Sequence, residues 1–275
     1  MDKVLEAATC IASLAALDPA NPVVQERMPD LIEQMLAASE GKLTQTLIEA
    51  LSDIARSMPL LLPDIQMKLL DTISFTLQRT PYQPSGTPNY RRIAPMRGST
   101  PSALAGPHAK GREAAVIQAL CALAEFDFSG NQLCEFVHDC VAQYLDDSRP
   151  QVRLTAGRTC SRLLLRPGDA VPRRGGSSLV VSQVLEKLLV TAVSDPEPHI
   201  RVALLECLEP RFDYFLAQAS CIRSLFVAVN DEVFYVREVS IGILGRLTLM
   251  NPAHVMPALR RMLVQVDVHF RKCSL

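Results

Sequence analysis

The chain has 275 residues, 48% of them apolar and 21% charged, with no Trp. That composition gives enough apolar mass for a large core and excludes a mainly disordered chain. Its 28 basic and 29 acidic residues leave a net charge of −1, so bulk charge recommends neither nucleic acid nor an acidic membrane surface as partner.

In chain order, the opening Met-Asp-Lys-Val lacks the basic and apolar regions of a signal peptide, and no uncharged apolar run approaches the ~18 residues of a membrane span. The sequence therefore reads as neither secreted nor inserted in a membrane. Residues 2–17 carry helical spacing through Val4, Ala8, Ile11, Leu14 and Ala15 and stop at Asp18-Pro19. They read as the second helix of a pair whose first helix is missing. Residues 22–37 and 43–57 form the next pair, with Gly41 as the stop between them. Residues 60–78 make another first helix, whose partner at 112–125 follows a long interruption.

That interruption, 80–111, holds six prolines and four glycines, and no acid stands between Asp71 and Glu113. It cannot bury enough apolar surface to order itself, so it reads as a flexible insertion between the helices of one repeat. Arg91, Arg92 and Arg97 make it basic, and Thr80-Pro81, Thr87-Pro88 and Thr100-Pro101 have the form of proline-directed phosphorylation sites. Phosphate on Ser99 or Thr100 would cancel much of that positive charge; the alternative is a solvated loop with no regulatory role.

After the insertion, helices are expected at 129–146 with 149–165, 178–193 with 196–209, and 213–229 with 232–250. A last first helix opens at Asn251-Pro252. Across the turns inside these pairs one seven-residue phrase recurs, as DSRPQVR (147–153), DPEPHIR (195–201) and DEVFYVR (231–237). The Asp reads as a helix N-cap, with Pro196 in a tolerant first turn. Six residues at 100° each put Asp and Arg about 240° apart, too far round the helix for an i,i+4 pair. The Arg is therefore expected to pair with a neighbouring repeat, and Asp147, Arg153, Asp195, Arg201, Asp231 and Arg237 form a candidate structural ladder. Surface ion pairs contribute under about 1 kcal/mol, so such a ladder would set register more than stability. A second phrase, in MPDLIEQML (28–36), LPDIQMKLL (62–70) and MPALRRMLV (256–264), places Pro29, Pro63 and Pro257 where they would kink the first helix of a pair.

These phrases resemble the signature of HEAT-type helical repeats. The expected fold is an all-α solenoid of about five complete helix pairs with an orphan helix at each end. Its organisation reads as repeats over 1–79, the insertion at 80–111, repeats over 112–265 and a divergent tail at 266–275.

Catalytic chemistry has little support. Cys134, His138 and Cys140 share one helix, with Cys134 and His138 at i,i+4, yet a structural zinc asks for four ligands and no second Cys or His pair is at hand. A zinc or a reactive thiol there would be the mark of an enzyme. Gly175-Gly176-Ser177 lacks the spacing and the Lys of a phosphate loop and reads as a linker. Asp127-Phe128-Ser129-Gly130 reads as a turn capping the next helix rather than a kinase metal-binding motif. Gly242 and Gly245, on one helix face, read as room for a neighbouring helix. The eight Cys, among them Cys10, Cys121, Cys160 and Cys207 in amphipathic patterns, read as small buried hydrophobes of a reducing compartment. No catalytic, cofactor or metal residue is assigned.

Longer wording goes beyond the repeat positions. FDFSGNQLCEFVHDC (126–140), RTCSRLLL (158–165), RFDYFLAQA (211–219) and LFVAVNDEVFYVREVSIGILGRLTLMNPAHVMPALRRMLVQ (225–265) closely resemble the N-terminal HEAT-repeat region of the target-of-rapamycin (TOR) serine/threonine kinases. The likeness runs from about residue 1 to 265. It implies a cytoplasmic scaffold, recruited to lysosomal and other endomembrane surfaces, that docks subunits of the TOR complex such as a Raptor-type scaffold. It implies neither nucleic acid nor membrane insertion. No kinase segment is matched, so no ATP-binding residue is carried over and no phosphate transfer is expected; the wording leaves the family pattern after Gln265, as a fragment, an alternative transcript or a mistaken gene model would. Unpartnered terminal helices would fray or self-associate, since solenoid repeats bury their apolar faces only against neighbours. The alternative is a HEAT-repeat scaffold or carrier of another system, such as nuclear transport or phosphatase assembly.

Overall fold

In the computed structural model the described residues are 2–82, 109–131, 133–165, 176–257 and 259–260. They are helices and connecting turns, without a strand among them. The chain divides into two compact units, Met1–Thr159 and Cys160–Leu275, each a stretch of all-α solenoid with helices stacked side by side in two rows.

In the first unit, α1 (Asp2–Leu17), α3 (Gln45–Ser57) and α5 (Ala109–Glu125) form one row, and α2 (Pro22–Ala38) and α4 (Leu62–Gln78) belong to the other. α1 packs chiefly on α3, and among its described side chains the buried ones are small, Ala8, Ala12 and Ala15. Their i, i+4, i+7 spacing lets the two backbones approach closely over Leu47, Leu51 and Ile54. α4 continues the core through Ile65, Leu69, Ile73 and Leu77. A composite helix follows: α6 (Cys134–Phe136), a π turn (Val137–Val141) and a 3-10 turn (Ala142–Asp146). It packs on α4, where the buried Tyr144 hydroxyl donates to the Leu77 carbonyl at 2.8 Å. α7 (Pro150–Leu164) extends the first row, with Thr159 Oγ1 donating to the Leu120 carbonyl at 3.0 Å.

The second unit is built on α8 (Gly176–Ser194), with α9 (Pro198–Glu206) beside it. A short α10 (Asp213–Leu216) contributes the buried Phe215 and Leu216, α11 (Ala219–Ala228) packs on α8, and α12 (Phe234–Leu247) packs on α9 and α11. By length and composition Ser177–Ser194 could cross a membrane. Its apolar positions, however, are the core of this unit: Val181, Val184, Leu185, Leu188 and Leu189 are buried. A last helix starts at 252 and buries Val255.

Several sequence expectations change. Pro63 lies in the first turn of α4, where it costs nothing, whereas Pro29 lies inside α2. Pro257 is helical, in a last helix described over 252–257 and 259–260. The helix expected over 213–229 is two helices, separated at Ala217-Gln218, where Gln218 takes extended backbone and caps α11. The stretch 129–146 becomes helical only at Cys134, because Asp127–Asn131 is a turn. Asp127 Oδ1 there accepts from the Ser129 N–H at 2.8 Å, and Gly130 has φ +87°, a conformation natural to glycine. Gly176 and Ser177 open α8 instead of forming a linker. α5 begins at Ala109, and Tyr82 is buried against Phe136 with ring centroids 5.4 Å apart. The remainder of the insertion, including Ser99 and Thr100, lies outside the described residues, as does the 266–275 tail.

Candidate functional site

The recurring phrase folds the same way three times. Each Asp carboxylate accepts from the backbone N–H two residues on: Asp147 from Arg149 at 2.9 Å, Asp195 from Glu197 at 2.9 Å, and Asp231 from Val233 at 2.8 Å. This is an Asx turn. The helices start one residue later, at Pro150, Pro198 and Phe234. The Asp is therefore not the N-cap, because the chain needs two more residues to turn into the helix. It is Pro198, not Pro196, that occupies a first-turn position.

Each Arg first reaches back to its own turn. Arg153 Nη1 donates to the Asp147 carbonyl at 2.9 Å, Arg201 Nη1 to the Asp195 carbonyl at 2.8 Å, and Arg237 Nη1 to the Asp231 carbonyl at 2.8 Å. An angular separation of about 240° does not forbid this, since the Asp lies ahead of the helix and the long Arg side chain points back towards the N-terminus.

Arg201 then uses the rest of its guanidinium on the next repeat. Its Nη2 donates to Asp231 Oδ1 at 2.9 Å, and its Nε stands 2.9 Å from Asp231 Oδ2. The Nε contact is an ion pair that lacks hydrogen-bond alignment. Glu232 adds a contact at 3.4 Å from the rim. The Arg201 and Asp231 side chains are only 8% and 9% exposed, so this is a desolvated pair, unlike the surface pairs assumed from the sequence. Burial alone would raise the Asp231 carboxyl. The Val233 N–H and the Arg201 guanidinium outweigh it and hold the carboxyl below its ordinary value.

Asp147 is held locally by Arg149, which donates Nε to Oδ1 and Nη2 to Oδ2, both at 2.8 Å. Burial opposes its ionisation, and these donors keep its carboxyl lowered. Arg149 stands in plain view in DSRPQVR, but fixed attention on the Asp-to-Arg offset hides it.

A second polar cluster escaped sequence reasoning. Buried Gln66, on α4, donates Nε2 to the Asp127 carbonyl at 2.9 Å and the Ser129 carbonyl at 3.1 Å, and accepts from Asn131 Nδ2 at 2.8 Å. It clasps the turn before α6. No local pattern marks a Gln for a partner more than 60 residues away.

The other candidates are dispersed. His138 Nδ1 contacts Asp139 Oδ1 at 2.6 Å, and the π turn re-aims this segment relative to Cys134. Cys140 and Cys160 are buried, and burial pushes the Cys160 thiol up to about 12. Cys10 is exposed, and Cys121 and Cys207 are half-buried, so the reading of all four amphipathic cysteines as core residues holds fully for Cys160 alone among them. Gly242 and Gly245 face open space, where an added Cβ would meet nothing within 4 Å, so no helix of the described residues lies close to them. A cleft of about 950 Å³ between α2, α4 and α5 holds Lys42, Asp71, Arg79 and Arg112. Asp71 is engaged there by the Tyr82 N–H at 2.9 Å.

No family model matches the chain. Curated relatives do. The chain is 36% identical over 273 residues to serine/threonine-protein kinase TOR of Arabidopsis thaliana, covering 95% of this chain. It is 38% identical over 267 residues to serine/threonine-protein kinase tor1 of Schizosaccharomyces pombe, covering 94% of it. With serine/threonine-protein kinase TOR of Oryza sativa subsp. japonica it shares 38% over 278 residues, again covering 95%. In each case the chain spans 11% of the relative's length.

Proposed function

We propose, for a chain that belongs to the TOR serine/threonine-protein kinase family and spans about a tenth of its members' length, that it is a non-catalytic scaffold segment which docks protein subunits of the TOR complex. The observation that carries this reading is the 36% to 38% identity sustained over 94% to 95% of the chain. A likeness that long runs through whole helices and the turns between them. The second support is architectural. Stacked helices present extended surfaces assembled from several repeats, and that geometry suits protein docking.

In this reading the partner is a Raptor-type scaffold subunit, the setting is nutrient and growth signalling, and the place is the cytoplasm and the endomembrane surfaces where such complexes assemble. The chain itself transfers no phosphate. The Arg201–Asp231 pair acts as a structural rung that holds one repeat against the next, and the other turns brace their own helix starts.

The test is capture by the purified full chain of purified TOR-complex subunits, read by quantitative immunoblot or interferometry. Saturable binding of a Raptor-type subunit is expected. Absence of binding to every subunit would overturn the reading. Incubation of the same protein with magnesium-ATP and a generic protein substrate is expected to give no phosphate incorporation above the protein-free control.

A further inference from the structure

Three cations from three separate elements line the cleft of about 950 Å³ in the first unit. Lys42 comes from the turn between α2 and α3, Arg79 from the residue that caps the end of α4, and Arg112 from the first turn of α5. Leu36, Ala37, Phe75 and Val116 supply apolar wall around them. The cleft therefore joins positive charge to apolar surface in one concave site, which neither a plain apolar groove nor a solvated run of charge does.

The two acids of the lining do little to neutralise these cations. Asp71 spends Oδ1 on the Tyr82 N–H at 2.9 Å. Glu40 stands at the rim, its side chain 80% exposed and 3.9 Å from Lys42. Among the described residues neither Arg79 nor Arg112 forms an ion pair with a carboxylate. Arg79 instead lies over the exposed Phe75 ring, 5.6 Å from its centroid. Its backbone is fixed as well: φ is +63°, and its N–H donates to the Phe75 carbonyl at 3.0 Å. A guanidinium held over a ring in this way keeps its N–H edges for a two-pronged acceptor.

We propose that this cleft binds a phosphorylated serine or threonine in an extended segment of a partner protein. Arg79 and Arg112 take the phosphate oxygens, Lys42 adds a third positive charge, and Phe75 covers an apolar side chain beside the phosphate. The charge matches: a phosphate carries close to two negative charges and three strong acceptor oxygens, which two guanidiniums and an ammonium satisfy. A single carboxylate, with one charge and two oxygens, leaves one arginine unused. A lone phosphate ion fills little of the cleft and leaves its apolar wall wet. The chain's net charge of −1 gives no long-range pull towards an acidic membrane, which favours a peptide over a lipid headgroup. The inference deepens the docking reading by naming the partner's chemistry, and rests on it only in taking the ligand to be a segment of a protein.

The test passes the purified full chain over resin carrying a short degenerate peptide library with phosphoserine at its centre, against the same library with serine there. Retention on the phosphorylated library is expected, with little on the serine library. Arg79→Gln and Arg112→Gln should each raise the half-saturating chain concentration about tenfold. Gln at 79 keeps a non-glycine residue in the same left-handed backbone, and urea unfolding midpoints check that each variant stays folded. Arg56→Gln removes an exposed arginine of the same unit, paired to Asp53 outside the cleft, and should bind like the native chain. Equal retention on the two libraries, or an equal loss with Arg56→Gln, would overturn the proposal. So would binding to phosphatidylinositol phosphate vesicles that Arg79→Gln abolishes while the phosphorylated library is ignored, since the cleft would then be a lipid site. Failure of TOR-subunit capture with library binding intact would remove the docking reading alone. Capture intact with no preference between the libraries would remove this inference alone.

Discussion

Arg201 and Arg237 are chemically identical and sit at equivalent positions, yet their surroundings predict different roles in stability. Arg201 is desolvated and paired to Asp231, so Arg201→Ala leaves a buried carboxylate without its partner and should cost about 3–5 kcal/mol. Arg237→Ala removes a guanidinium that bonds two turn carbonyls and attracts the Asp231 carboxylate only from a distance, and should cost about 1 kcal/mol or less. Urea unfolding midpoints of the two variants check the difference, and a double-mutant cycle on Arg201 and Asp231 isolates the pair itself. The pair also sets a pH dependence. Asp231 has a lowered carboxyl in the folded chain, so the unfolded chain binds the proton first. The pair's contribution is complete above the unfolded value of about 3.9 and is lost as pH falls through the lower folded value. Asp231→Asn should flatten the acid limb of stability measured by urea unfolding from pH 6 downward, with Asp147 supplying part of what remains. Among thiols, exposed Cys10 should label readily in the native protein. Cys160, buried with its thiol raised to about 12, should label only on unfolding.

At the scale of helices, what the sequence made legible was what periodicity controls. The apolar spacing gave the existence of α1, α3, α4 and α8; on α1 it named Ala8 and Ala15, which are buried, but also Leu14, which is 45% exposed, and it passed over the buried Ala12. The Asp-to-Arg offset found Arg201 but not its geometry, because the offset says nothing of a side chain that folds back on its own turn before reaching forward. The division at Ala217-Gln218 carries no Gly or Pro and was invisible, since the signal is Gln218 itself taking extended backbone and donating to Ser182 Oγ at 3.1 Å. The π turn at Val137–Val141 was hidden for a related reason: one extra residue per turn leaves a short apolar pattern nearly unchanged. Gln66 shows the same limit at long range. Gln66→Leu keeps the volume and abandons two backbone carbonyls and the Asn131 amide, so it should destabilise the first unit by about 1–3 kcal/mol. Hydrogen exchange in 126–131 should rise in the same variant, which separates loss of the clasp from general unfolding.

At the largest scale, stacked rows of helices within each unit are the frame on which the proposed docking role rests. In the first unit successive helices of one row are tied by side chains that cross from helix to helix. Lys68 bridges α2 and α4 through Glu33 at 3.3 Å, and Tyr144 and Gln78 fasten α4 to the composite helix. In the second unit Arg246 joins α12 to Asp213 at 3.0 Å and to the Leu208 carbonyl at 2.7 Å. Such cross-links keep the helix faces in fixed relation within a unit, and a docking surface assembled from several helices needs that. The most direct measurement is interferometry of the purified full chain against a purified Raptor-type subunit, with an unrelated helical-repeat protein as reference. Saturable binding to the chain and not to the reference is the predicted result. Equal or absent binding to both would contradict the account.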